Sequence, residues 1–291
     1  MKLSVIIPTR NRAKMLKNCL NSLVRQTKKS DEVLIIDNNS NDNTKDIVLS
    51  FKKKLPIKYL FEPRIGIPIA RNTGIKNAHY DIIAFIDDDC SADKNWIKNM
   101  FCIYIKKPEI LVVQGKTYSK SKKDFYSKSI EYLMDSPNHQ SIDTKNLSFR
   151  KDILNNHKSI FDENFPVCED MDLYLNIKKR GIKVLKTQQI IAYHHRKLDF
   201  VSFSKQQFIS GKYAYLLKQK HKNNAKDLPK DLQNIYFLLG SLCIMPFIHT
   251  FRNIKTNGFK YAIKLFPIII FQKIIRYSGF FAMRFIKKRD C

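Results

Sequence analysis

Glycine is scarce in this chain, with eight residues in 291. No G-x-G-x-x-G fingerprint occurs, and the stretch Pro8–Arg12 after the first predicted strand holds no glycine. This argues against a dehydrogenase, whose backbone must approach a dinucleotide pyrophosphate closely. It also argues against a nucleotidyltransferase with a glycine-rich basic phosphate loop near the first strand. Cysteine occurs six times, at 19, 90, 102, 168, 243 and 291, and never as C-x-x-C. Neither a disulfide framework nor a zinc site follows, and a reducing compartment is expected. No signal-peptide pattern precedes the first strand. Zinc-finger spacing and an RNP-type aromatic signature are both missing, so no nucleic-acid partner is expected. Long apolar runs are missing too. The continuous stretch Ile235–Ile248 is about 14 residues and contains Pro246. At about 1.5 Å per residue it falls short of a hydrocarbon core of roughly 30 Å.

Acidic residues are the other shortage: 26 against 53 Lys and Arg, a formal charge of +27. Part of the excess is concentrated. Residues 216–291 hold fifteen Lys or Arg and three Asp. The same segment is rich in apolar residues, with Lys264, Lys273, Arg276 and Arg284 interrupting Tyr261–Ile286. Periodic cations in an apolar helix fit lying in a membrane interface rather than spanning it. An anionic membrane surface, met through 232–289, is therefore an expected partner; a re-entrant hairpin or a helical cap packed on the protein is the alternative. Low glycine and proline with abundant lysine and asparagine point to an AT-rich bacterial coding sequence.

The first half alternates strand and helix signals. Leu3–Pro8, Glu32–Asp37, Ile57–Phe61 and Ile82–Ile86 are apolar runs of strand length. Between them lie helical patterns over Ala13–Gln26, Thr44–Lys52 and Ile67–Asn77, the last with a proline in its first turn. This βαβα alternation predicts an α/β domain with a mostly parallel sheet. Further strands are expected at Leu111–Gly115, Lys183–Leu185 and Ile190–Tyr193, a polar loop at Tyr118–Lys123, and a helix within Asn164–Arg180.

The fourth strand runs straight into Asp87-Asp88-Asp89. Ligands of open α/β sheets bind at the carboxyl ends of strands. Three adjacent carboxylates repel unless positive charge sits among them, and a hard divalent cation held by oxygen ligands is the obvious candidate. The alternative is a solvated acidic turn. Glu169 and Asp170 open a predicted helix, where carboxylates also serve as electrostatic caps.

Several segments together resemble one family. Val5-Ile6-Ile7-Pro8-Thr9-Arg10-Asn11-Arg12 looks like the opening of inverting family 2 glycosyltransferases of the GT-A fold. Asp37-Asn38-Asn39-Ser40 with Asp42 resembles their second-strand signature, and Glu62-Pro63-Arg64 with Ala70-Arg71-Asn72-Thr73-Gly74 the segment before the acidic motif. Asp87-Asp88-Asp89 corresponds to D-x-D, Asn146-Leu147-Ser148-Phe149-Arg150 to N-x-x-x-R, and Glu169-Asp170 to the E-D motif.

The resemblance covers about residues 3–215 and implies a Rossmann-like GT-A domain over 1–215; the composition of the remainder adds a basic amphipathic helical region over 216–291. The resemblance implies a nucleotide-sugar donor bound by Pro8, Thr9, Arg10, Asp37, Asn39, Arg71, Asp87 and Asp88. Within that set, Pro8, Thr9 and Asp37 would line the nucleobase pocket and Arg71 would reach the phosphates. It implies Mn2+ or Mg2+ held by Asp89, Asp87 and His194, with Asn146 and Arg150 on the acceptor side. Asp170 would be the general base and Glu169 would orient a glycan or lipid-linked acceptor. The expected site of action is the cytoplasmic face of the inner membrane. A nucleotidyltransferase and a non-catalytic basic module remain the alternatives.

Overall fold

The computed structural model describes residues 1–120, 126, 141–154, 160–195, 199–222 and 259–289, the last with side chains over 266–286. The charge-free part of the tail, Leu232–Phe251, and the charged stretch before it, from residue 223, lie outside the described residues.

The chain divides into two compact units, Met1–Lys120 with Ile142–Arg196, and Ser121–Ser141 with Lys197–Cys291. The first unit carries an eight-stranded sheet: β1 (Leu3–Thr9), β2 (Glu32–Asp37), β3 (Ile57–Phe61), β4 (Ile82–Ile86), β5 (Cys90–Ala92), β6 (Val112–Ser119), β7 (Asn146–Arg150) and β8 (Val184–His194). Their spatial order is β3-β2-β1-β4-β7-β6-β8-β5. Helices α1 (Ala13–Val24), α2 (Thr44–Ser50) and α3 (Ile67–Asn77) connect the first four strands, and α4 (Trp96–Lys106) follows β5. A short 3-10 turn, Lys151–Leu154, follows β7, and α5 (Glu169–Lys179) precedes β8.

Every residue of β1, β2 and β4 is buried. That is the expected state of central strands covered on both faces, and it explains their continuous apolar runs. Leu16, Leu20 and Leu23 of α1 pack beneath one face with Val5, Ile7 and Trp96. Ile6, Phe85, Phe149 and Phe161 pack beneath the other. Gly74 of α3 crosses β1 so closely that an added Cβ would collide with Ile6. Helix and strand touch there only because the side chain is absent.

The sheet is mostly parallel, as expected: β3-β2-β1-β4 pair in parallel, and so do β6 and β8, with antiparallel pairing entering at β7 and β5. Strand β7 enters antiparallel to β4, in register Ile86↔Asn146 through Ile82↔Arg150. It is antiparallel to β6 as well, while β6 and β8 are parallel. Tyr118 and Ser119, expected in a loop, belong to β6, and the two short strands expected before His194 are one continuous β8. Alternation of side chains cannot show which way a neighbouring strand runs, so the sequence left this half unread.

In the second unit, α6 (Phe200–Lys220) and α7 (Phe259–Arg289) pair along their lengths. Asp199 caps α6, accepting from the Ser202 backbone at 2.8 Å. The expected boundary at 215/216 falls inside α6. The helices meet at two glycines: a Cβ on Gly211 would collide with the Arg276 carbonyl, and one on Gly279 with that of Phe208. Gln272 donates to Gln207 across the contact at 3.2 Å. No described helix is long and apolar enough to cross a membrane.

Candidate active site

The carboxyl ends of β1, β2, β4 and β8 and the start of antiparallel β7 meet at one edge of the sheet. This gathers Thr9, Asp37, the acid triplet, the residues just before Asn146, and His194. The loop after β2 clasps the loop after β1. Asn11 N donates to Ser40 Oγ and Asn41 N to Asn11 Oδ1, at 2.9 and 2.8 Å. Asp42 accepts from the Ala13 backbone at 3.0 Å and caps α1 in place of its own N-cap residue. Asp37 is buried and fixed by the Tyr59 hydroxyl, which donates at 2.7 Å, and by Ser40 N at 2.9 Å. Burial and the Asp37 charge push the Tyr59 hydroxyl well above its usual range, so it stays a donor. Pro8 is buried in β1, while Arg10 and Asn39 are exposed at the rim. Asn39 takes a left-handed backbone, φ 65°, and donates to the Pro63 carbonyl at 3.3 Å.

Each acid of the triplet has a basic partner, Arg12 serving two of them. Asp88 accepts from Thr9 Oγ1 at 2.8 Å and from Arg12 at 3.0 Å. Asp89 meets Arg12 at 3.1 Å and His194 Nε2 at 3.4 Å. Asp87 meets Arg71 at 3.1 Å. Burial pushes the Asp88 carboxyl up to about 6, with Asp89 adding to the push and Arg12 opposing it. Burial acts on Asp89 in the same direction, but His194, Arg12 and Lys145 outweigh it and hold that carboxyl at about 2. Arg12 is therefore a central residue of the site that the sequence reading passed over in favour of Arg10. Its signal was only its place at the N-cap of α1, immediately after the turn that follows β1.

Arg71 does not present itself to a ligand. It is 2% exposed, bonded to Glu169 at 2.6 Å as well as to Asp87, and stacked 5.6 Å from the Phe161 ring centre. Burial works against the guanidinium, yet the two carboxylates raise it above even its usual range. Its work is to hold Asp87 and Glu169 in place. Removing one partner of a buried ion pair costs about 3–5 kcal/mol. Arg71→Met is expected to lose stability of that order in denaturant unfolding, and a loss below about 1 kcal/mol would contradict the assignment.

The two acceptor-side candidates also take another role. Asn146 is 1% exposed and its amide is fully used. It accepts from Trp96 Nε1 at 2.8 Å and donates to the Lys116 and Ile190 carbonyls at 3.0 Å each. It thereby welds β6, β7 and β8 to α4. Arg150 lies four residues on, roughly 13 Å away at strand rise, at the opposite end of β4 beside Ile82. There it stacks on Tyr104 and bonds that residue's carbonyl at 2.8 Å. The spacing N-x-x-x-R spans a strand, so its ends cannot share one site.

Helix α5 brings Glu169 and Asp170 to the edge, after Cys168 turns the backbone with φ 65°. Asp170 is half-buried by exposed area. The protein packed round its carboxyl, and then the charge of Glu169, push it up to about 7, with Lys145 opposing. A carboxylate in that range is suited to accept a proton near neutral pH.

The donor set fits a divalent cation in part. Two ligands of one ion, each at about 2.1 Å, stand about 3 Å apart, close to the 3.4 Å between Asp89 and His194. Among the described residues no three His, Cys, Asp or Glu side chains converge as a metal site. Two protein donors completed by water and substrate oxygens match the coordination that Mg2+ accepts.

Residues 4–164 match the family model of glycosyl transferase family 2. Validoxylamine A glucosyltransferase of Streptomyces hygroscopicus subsp. jinggangensis (strain 5008) is 36% identical over 120 residues, covering 40% of this chain and 28% of that protein. The chain matches only 28%, 26% and 33% of the lengths of three such curated relatives. Among solved structures, a mannosyltransferase from Pyrobaculum calidifontis in complex with GDP-Man and Mn2+ superposes with a TM-score of 0.68 at 15% identity, covering 98% of this chain and 88% of that one. S. aureus TarS in complex with UDP-GlcNAc gives 0.64 at 17%, covering 100% and 92%. At these identities the likeness is one of fold.

Proposed function

The chain belongs to glycosyl transferase family 2, and on that premise we propose that it moves a sugar, with inversion, from a nucleoside-diphosphate sugar to a hydroxyl of a glycan or lipid-linked acceptor. The donor is proposed to be UDP-linked and the pathway bacterial surface-glycan synthesis. The observation that carries this reading is the buried Arg71 bridge, which ties Glu169, and with it the adjoining Asp170, to Asp87 of the acid cluster. Asp170 takes the acceptor proton as the oxygen attacks the anomeric carbon from the face opposite the leaving group. Glu169, held by Arg71, orients that acceptor. Pro8, Thr9 and Asp37 line the base pocket, with Arg10 and Asn39 at its rim. Asp89 and His194, with Asp87, would hold Mn2+ or Mg2+, which when bound supplies positive charge to the departing diphosphate. Support for that ion is the Mn2+ in the structurally similar mannosyltransferase. The test is hydrolysis and transfer from a panel of nucleotide sugars by the purified full-length chain. Turnover of none, with no nucleotide raising its melting temperature, would overturn the reading.

We further infer that the protein acts as a peripheral enzyme at the cytoplasmic face of the inner membrane, held by the basic, apolar tail over 232–289. Helix α7 supports this with Ile274, Phe285 and Ile286 exposed among its cations. Removing the tail would strip α6 of its partner, so point variants are the better test. Phe285→Ser with Ile286→Ser is expected to weaken binding to anionic vesicles at least tenfold, since burying each such side chain contributes about 1.5–3 kcal/mol. High salt should release the protein only in part. Unchanged partitioning of the double variant would exclude insertion through this helix.

A further inference from the structure

The buried state of Arg71 leaves open which side chain meets the donor's phosphates, and the register of β7 answers with a residue outside every motif. Antiparallel pairing sets Asn146 against Ile86. The residue before Asn146 therefore stands beside the residue after Ile86, which puts Lys145 on the Asp87 side of the acid triplet, within reach of its charge. Asp143 holds the Lys145 ammonium, accepting at 2.6 Å, and the Asp143 backbone is itself pinned by Gln114 at 2.7 Å. An ammonium has three donors, and among the described residues its ion-pair partner is Asp143. Its side chain is 30% exposed, against 2% for Arg71. It is thus a pre-positioned cation with donors and access to spare.

We infer that Lys145 is a diphosphate-binding residue: its ammonium contacts the phosphate oxygens of the nucleotide donor and stabilises the charge that gathers there as the sugar leaves. This rests on the proposed function and names a group that the family motifs do not include. Asp87, Asp89 and Asp170 all feel the Lys145 charge, so the ammonium lies within electrostatic reach of both the cluster and the base. Burial opposes its charge, but Asp143 and Asp87 keep it protonated above the usual lysine range. A purely structural Lys145–Asp143 pair is the competing account. It predicts equal damage from removing either partner.

The test titrates the full-length protein with nucleoside diphosphates and with the matching nucleosides, with and without Mn2+. A charge-assisted hydrogen bond lost to phosphate corresponds to about ten- to a hundredfold in affinity. Lys145→Met is expected to weaken the diphosphate by that factor and leave the nucleoside unchanged. Lys145→Arg, which keeps the charge, should recover most of the loss, and Asp143→Asn should retain diphosphate binding. Equal losses for diphosphate and nucleoside, or equal losses in Lys145→Met and Asp143→Asn, would overturn the inference. So would a diphosphate affinity untouched by Lys145→Met. If Lys145→Met unfolds, Lys145→Arg and Asp143→Asn decide on the same readout. Failure of the wild type to bind any diphosphate would remove the proposed function itself, and this inference with it.

Discussion

Replacing Asp170 with Asn is expected to lower kcat by about 10²–10⁴-fold, the usual contribution of a general base, while nucleotide affinity stays within a few-fold of wild type. The substitution keeps the shape of the side chain and removes its basicity. The wild-type rate should rise with pH through about 7, where burial and Glu169 hold the Asp170 carboxyl, and the variant should lose that limb. Stability is expected to move the other way. A carboxyl raised above its unfolded range favours the folded state in its protonated form. That contribution is complete only below the ordinary aspartate range, under about pH 4, and is lost as pH rises from there through about 7. At pH 8 the wild type therefore carries a buried charge that Asp170→Asn lacks. The variant should melt higher than wild type at pH 8 and show no such advantage at pH 4. A variant that loses rate, nucleotide binding and stability together would make Asp170 a helix cap and nothing more.

Asp89→Ala is expected to reduce transfer by several orders of magnitude. A chelator should abolish wild-type activity, with Mn2+ or Mg2+ restoring it. Asp89 is held ionised down to about pH 2 by His194, Arg12 and Lys145, so it is a ready oxygen donor across the working range. The structure also assigns Asp89 a second task, as counter-ion to Arg12. The two tasks separate experimentally. Loss of an anchor for Arg12 lowers stability with or without metal, whereas loss of a metal ligand weakens Mn2+ binding measured directly, for instance by the paramagnetic signal of the free ion. Full wild-type activity in excess chelator would dispose of the metal assignment and leave the cluster as a set of ion pairs.

Local chemistry in the sequence determined the first half of the fold. Strands β1, β2 and β4 are buried on both faces, so their residues are almost continuously apolar; α1 shows its spaced leucines, and α3 a proline in its first turn. Their boundaries could be read within a few residues. Asp87–Asp89 could be placed at a strand end for the same reason, and Asp170 beside Glu169 at a helix start. The antiparallel entry of β7 was decided elsewhere, by pairing across more than fifty residues between β4 and β7, which leaves no local trace. That one decision set the fates of its neighbours. It sent Asn146 into the core as a weld between strands, carried Arg150 to the far end of the sheet, and set Lys145 on the Asp87 side of the acid triplet. A run of three acids reads as a demand for positive charge, and only the fold reveals that Arg12 and Arg71 already supply part of it from within the chain. Composition determined that the tail is basic and apolar. That α7 pairs with α6 through Gly211 and Gly279 depended on two backbones meeting where neither has a side chain, a property of the pair and of neither segment alone.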